Sequence, residues 1–356
     1  MKPEHAGKIV QERAEKRKLW QVVAVTDAVA LRKPSTVRAL LPLVCTCALW
    51  GLSFPLMKAL GLHLTAQAPG ISTWFVAATT VGVRFGSGVV VLALAGLVRP
   101  TAPELKQAVT LGVFSGAGML LQMDALNFSP ASTSAFLTQG YIVILPVVAA
   151  LTARALPQLK TVICVLISTT GLLVLSGFDW VSLRLGRGET ETLMAACTFA
   201  VQILCLDSKT YRGNRPRVVT MVMFACITAL LVPVALWTMR GVSEARLLFA
   251  TPFSLALVFV LSVPCTVIAF SLMNRYQPEV SASEAGIIYG AEPLFASVFA
   301  LFLPALFARW AGVEYANEQL TLRLLIGGGL VILANVLLQV PWSPFSRRGP
   351  PLAIRD

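Results

Sequence analysis

The chain has 356 residues, 56% of them hydrophobic and 13% charged, with a formal net charge of +12 and a mean hydropathy of +0.75. A soluble domain needs far more polar surface than this to cover itself, which excludes an ordinary globular fold in water. The basic residues sit in the N-terminal tail and in alternate loops rather than on a face interleaved with aromatics, which argues against a nucleic-acid partner.

The apolar residues form long blocks. A helix crossing the hydrocarbon needs about 20 mostly apolar residues, and the blocks reach that length repeatedly. The roughly 10-residue alternating segments of a membrane β-barrel are absent. The fold class is therefore all-α integral membrane.

Residues 1–38 read as a polar, basic, cytoplasmic tail, with a surface helix near Gly7–Leu31 as the other reading. The stretch is too long for a cleaved signal peptide and shows no small-residue cleavage site. Five spans follow in residues 39–177: Ala39–Leu60, Ile71–Val98, Lys106–Phe128, Ser132–Leu151 and Leu159–Gly177. The linker Phe178–Glu189 carries Asp179, Arg184, Arg187 and Glu189. Five more spans fill residues 178–342: Thr190–Leu206, Val218–Met239, Pro252–Asn274, Val280–Leu303 and Leu320–Val340, before a cytoplasmic tail at 343–356. With both termini inside, cytoplasmic segments hold 21 Lys and Arg against six outside. That asymmetry fits the positive-inside rule for a cell (inner) membrane protein.

The two halves resemble each other. Ser129 and Pro130 lead a small-residue run into span four, which reaches Pro146; Gln277 and Pro278 lead another into span nine, which reaches Pro293. Duplicating an odd number of spans inserts the second copy upside down, so the expected architecture is ten transmembrane helices in two inverted five-helix repeats.

Charges within the hydrocarbon are the informative candidates, because each costs about 2.5–3.5 kcal/mol at a helix centre. Arg84 falls near the middle of span two, Glu292 at mid-depth in span nine, and Glu284 two turns away on the same span. Two readings stand: Arg84 and a glutamate face a central cavity and bind an ionic group or exchange a proton, or Arg84 and Glu292 form a fixed ion pair. Lys58 and Asp124 lie near span ends, where Lys58 can snorkel outward. Gln122, Gln139, Gln202, Asn127 and Asn274 can bond a solute or another helix, the latter being commoner in membranes. Tyr141 and Tyr289 nearly coincide when the halves are superposed in sequence, and can line a cavity or pack in the core. The pairs Gly82/Gly86 and Gly112/Gly116 and the run Gly327–Gly329 read as close-packing motifs. Pro55, Pro146, Pro233, Pro264 and Pro293 favour kinks. The seven cysteines lie within or at the edges of apolar blocks and read as packing residues. Only His5 and His63 are present, which makes a histidine metal site or catalytic triad an unfavoured reading.

At this point a pattern is complete. Leu49-Trp50-Gly51 with Ser53, Phe54, Pro55 and Lys58, then Arg84-Phe85, Ala125-Leu126 with Ser129, Gly188-Glu189, Glu292-Pro293 and Glu318 with Leu320 recur in order across nearly the whole chain after residue 38. The chain resembles the EamA-like branch of the drug/metabolite transporter superfamily. The resemblance implies two inverted five-helix repeats around a cavity lined mainly by spans one, three, four, six, eight and nine. It also implies secondary transport without ATP, often export, of metabolites or amino-acid-like solutes. The candidate substrate-binding or coupling residues are Trp50, Arg84, Gln122, Gln139, Glu284, Tyr289 and Glu292. No cofactor is implied. The expected partners are a small-molecule substrate and the lipid bilayer, with protons as candidate coupling ion and a homodimer as candidate assembly. Departures are Arg154–Pro157, where an acidic residue is usual, Glu284 in a normally small neutral place, the long basic tail, and an apparent insertion over residues 304–317. The rival readings are an intramembrane enzyme, for which no nucleophile with a base is evident, and a channel, for which no filter loop or charge ring is evident.

Overall fold

The computed structural model describes residues 34–153, 159–175, 185–280 and 282–339. The surface helix near Gly7–Leu31, linker residues 178–184, the Arg154–Pro157 departure and the tail 343–356 lie outside the described residues. All regular structure that is described is helical.

Helix α1 spans Pro34–Gln67, α2 Thr73–Leu94 and α3 Ala102–Ala125. The fourth span is interrupted: α4 covers Ala131–Thr138 and α5 Tyr141–Ala153. Then come α6 (Leu159–Leu175), α7 (Arg187–Asp207) and α8 (Pro216–Thr238), with the short α9 (Val242–Leu247) beyond it. The next span begins as α10 (Pro252–Ser262), widens to a π-helical segment over Val263–Ile268 and continues as α11 (Ala269–Tyr276). A second interrupted span consists of α12 (Ala282–Tyr289) and α13 (Glu292–Ala311), and α14 covers Leu322–Gln339.

Seven described helices are long and apolar enough to cross a membrane, and three shorter apolar ones cover Ala131–Leu145, Leu159–Leu175 and Leu322–Leu337. Large apolar side chains such as Leu94, Leu159, Trp237 and Phe302 stand exposed, as a bilayer-facing surface requires. The chain is a multi-pass helical membrane protein.

Several boundaries differ from the sequence expectation. The first helix starts at Pro34, inside the expected tail, and runs on to Gln67, because Thr65 returns its hydroxyl to the Gly61 carbonyl and His63 is held by Thr251 and Gln67. The expected insertion over residues 304–317 is in its first half a continuation of α13, which ends at Gly312 in the left-handed conformation (φ 66°) that favours glycine. The seventh helix begins at Arg187 rather than Thr190, since the first turn is anchored by Arg187 pairing with Glu191 at 2.7 Å.

Packing follows the small residues. Gly82 and Gly86 of α2, and Gly112 and Gly116 of α3, all face α8, through Leu231, Thr228, Cys226 and Leu230 respectively. Gly171 of α6 and Gly327 of α14 meet reciprocally: a methyl on either would stand 2.7 or 2.8 Å from the other's carbonyl oxygen. One end of the bundle is tied by Glu104, whose carboxylate accepts from Arg215 Nε (2.7 Å), Nη2 (2.8 Å) and backbone N (3.0 Å). At the other end Lys58 donates to the Ser129 carbonyl (2.7 Å), Ser129 donates to Glu189 (2.6 Å), and Glu318 accepts from the Ala131 amide (2.7 Å) and from Ser132. Lys58 is thus fastened to the turn that precedes α4 rather than snorkelling. Asp124, fully buried, pairs with Arg187, whose guanidinium also stacks 4.3 Å from the Phe128 ring.

Candidate functional site

The two interrupted spans meet each other at their breaks. At Gln139 and Gly140 the backbone tightens to i→i+3 bonds, Gly140 N to Leu137 O (2.9 Å) and Ile142 N to Gln139 O (2.9 Å). At Gly290 and Ala291 the same tightening occurs, with Ala291 N bonding Ile288 O at 3.1 Å. The breaks are sewn together by side chains. Gln139 donates to the Tyr289 carbonyl (3.1 Å) and accepts from the Tyr141 hydroxyl (2.8 Å). Tyr289 donates its hydroxyl to Gln277 (2.8 Å), which donates in turn to the Ile203 carbonyl (3.2 Å). The Gln139 amide and the Tyr289 hydroxyl and carbonyl, all beside the breaks, are thus paired, as buried polar groups in lipid should be.

Beside this junction lies a small cavity of about 40 Å³. Trp50 and Ser53 line it from α1, Met119 and Gln122 from α3, and Thr138 and Tyr141 from the first interrupted pair. Phe199, Gln202 and Ile203 line it from α7, Phe270 and Met273 from α11, and Tyr289 and Glu292 from the second interrupted pair. These elements are spans one, three, four, six, eight and nine. The Trp50 ring stands 5.2 Å from Phe270 and 5.5 Å from Tyr289, so three aromatic rings form one wall.

The polar lining is mostly committed already. Gln122 donates to Thr138 (2.9 Å), Ser115 donates to Gln202 (2.7 Å), Gln202 donates to the Met273 sulfur (3.1 Å), and Ser53 donates to the Trp50 carbonyl (2.7 Å). Two groups are different. The indole N–H of Trp50 is buried and has no hydrogen-bond partner among the described residues. Glu292, 6% exposed, is the first residue of α13 and makes no salt bridge with any described residue. Its position at a helix N-terminus suits a carboxylate.

Of the sequence candidates, Trp50, Gln122, Tyr289 and Glu292 line the cavity. Gln139 lies in the first break and holds the two interrupted spans together instead. Glu284 is half-buried on α12 and outside the lining. Arg84 is 1% exposed and also outside it. Its Nε donates to Thr266 Oγ1 (2.9 Å), Nη2 to the Cys265 carbonyl (3.4 Å) and Nη1 to the Met57 sulfur (3.1 Å). Arg84 therefore grips the π-helical segment, where the Thr266 hydroxyl reaches back to Leu261 O (2.7 Å). The fixed ion pair between Arg84 and Glu292 is not formed, because the guanidinium is consumed by this neighbour. Phe199, Phe270, Met119 and Met273 were not singled out by sequence reasoning; apolar residues in apolar helices carry no local signal of facing a cavity.

No family model matches the chain. Over 237 residues, 67% of this chain and 70% of the relative, the sequence is 24% identical to an uncharacterized transporter of Archaeoglobus fulgidus. Among solved structures the chain is similar to one described only as "Crystal structure of protein", with a TM-score of 0.51 and 15% identity over 83% of this chain and 99% of that one. That likeness bears on the fold alone.

Proposed function

We propose that the chain is a secondary transporter of small organic solutes, working by alternating access without ATP. Its ten membrane helices form two inverted five-helix repeats, with both termini on the cytoplasmic side of the cell membrane. Export of metabolites or amino-acid-like solutes is the direction that the EamA-like resemblance implies, protons are the coupling ion, and Glu292 is the group that takes them up.

The observation that carries this reading is the cavity at the junction of the two interrupted spans. Broken helices at corresponding places in two halves mark the solute site of repeat transporters, because they expose main-chain and helix-end groups only where a cavity is lined. The packing adds support. Helix α2 packs most extensively on α8, and α6 on α14. In a duplicated five-span arrangement these are second on second and fifth on fifth, the contacts expected on a pseudo-two-fold axis. The reciprocal meeting of Gly171 and Gly327 has the same form. The named relative, a transporter, agrees in kind.

The test uses Ser53→Cys in a variant whose seven native cysteines are replaced, in oriented membrane vesicles. A membrane-impermeant maleimide should reach Cys at position 53 from either side, and solute counterflow should appear in proteoliposomes. Labelling from one side only, whatever the solute gradient, would overturn alternating access.

A further inference from the structure

We infer that Asp124, Glu191 and Arg187 form a proton-binding site in which the two carboxyl groups hold one exchangeable proton between them. The site stands apart from the cavity, since none of the three lines it. The inference does not rest on the transport reading.

The geometry starts from one guanidinium shared by two acids. Arg187 Nε donates to Glu191 Oε1 at 2.7 Å, and its Nη2 donates to Asp124 Oδ2. Glu191 stands one turn further along α7, and Asp124 reaches across from α3. Asp124 is 0% and Glu191 8% exposed. The second oxygen of each, Asp124 Oδ1 and Glu191 Oε2, is buried without a hydrogen-bond partner among the described residues. Yet the two carboxyl groups lie within hydrogen-bonding reach of each other. As two carboxylates they have no hydrogen to share, and they repel. A single proton turns the same contact into an O–H···O bond and satisfies both orphaned oxygens at once.

Charge gives the same count. Two carboxylates against one guanidinium leave one negative charge in a buried place, and one proton cancels it. Asp124 and Glu191 are the acids that act on Arg187, and Arg187 is the cation that acts on Glu191. Of the other charged groups at this end of the bundle, Lys58 is turned to the Ser129 carbonyl and Glu189 to the Ser129 hydroxyl. A metal cation would need several more oxygen ligands than the two left over, beside a guanidinium that repels it. The way to solvent passes Arg187, whose side chain is 45% exposed and lies near the rings of Trp74 and Phe128. The shared proton bonds α3 to α7, so its release loosens this end of the bundle.

The test is infrared difference spectroscopy of the full chain in lipid, stepped from about pH 6 to about pH 9, reading the carbonyl stretch of protonated carboxyl groups. Subtracting the spectrum of Glu191→Gln from that of the parent cancels Glu292 and isolates the site. Glu191→Gln and Asp124→Asn should each lose one carboxyl group's share of the titrating band. The double variant should lose no more than either single one, because there is only one proton to lose. Thermal unfolding adds a second readout. The parent should lose stability as pH rises over this range, because its folded state holds a proton that the unfolded chain released near about pH 4. Glu191→Gln, whose amide N–H takes the proton's place, should fall less steeply. Should Glu191→Gln fail to fold, Asp124→Asn replaces it in both measurements. An unchanged band in a folded single variant, a doubled loss in the double variant, or a band removed by added sodium at constant pH would overturn the inference. A failure here leaves the cavity reading untouched, because Glu292 is intact in every one of these proteins.

Discussion

Gly51 is the position at which a single methyl group tests the packing around the cavity. Helix α1 crosses α13 so closely there that an added Cβ would stand 2.7 Å from Phe295 Cβ, 2.8 Å from Ala296 N and 2.9 Å from Glu292 O. Ordinary contact begins at 3.4 Å, so the helices must part by about 0.7 Å. Overpacking of this kind costs about 1–3 kcal/mol, and the upper part of that range applies because two of the three atoms are main chain. Alanine recovers about 1 kcal/mol of helix propensity over glycine, leaving a net loss of about 1–2 kcal/mol for Gly51→Ala. Gly329→Ala is the control: nothing lies within 4 Å of its added Cβ, so only the propensity gain of about 1 kcal/mol remains. Heating the purified protein and following loss of the monodisperse species should rank Gly329→Ala above the parent and Gly51→Ala below it. A Gly51→Ala protein as heat-resistant as the parent would refute the close crossing of α1 and α13.

Arg84→Ala removes the donors to Thr266 and the Cys265 carbonyl and empties a fully buried site; the expected loss is about 2–4 kcal/mol, measured by thermal unfolding. Arg84→Lys, with one compact donor group in place of a planar fork, should recover only part of it. Glu318→Gln weakens the acceptor at the start of α4, where Ala131 and Ser132 donate to it. Faster amide exchange at Ala131 and Ser132, with a stability loss of about 1 kcal/mol, is the expected outcome. Reporter tags placed between α6 and α7 should be found on the opposite side of the membrane from tags at the C-terminus; tags on one side would remove the inverted repeat.

The amino-acid sequence was enough to define an all-helical membrane protein and to place most of its helices within a few residues. Hydropathy is a local quantity, and a helix in lipid satisfies its own backbone, so about 20 apolar residues specify a span without reference to any neighbour. The small-residue pairs on α2 and α3 were readable for the same reason: a missing side chain predicts a close partner, though not that both would choose α8. Glu292 stood out because a charge is conspicuous in such blocks, whereas Trp50 entered only through the Leu49-Trp50-Gly51 pattern that carries the resemblance.

What the tertiary structure alone decided is who partners whom. A buried polar group must find a partner, but its identity is a non-local matter that no periodicity encodes. Arg84 and Glu292 looked equally placed to pair, yet the π-helical segment presents Thr266 and a free carbonyl to the guanidinium and leaves the carboxylate to the cavity. Nothing in the strings around Gln139 and Gly290 marks where two spans break. The breaks persist because Gln139 reaches the Tyr289 carbonyl across the bundle, a bond between residues 150 positions apart. Helices follow from composition along the chain; a site follows from the polar groups that folding leaves without a partner.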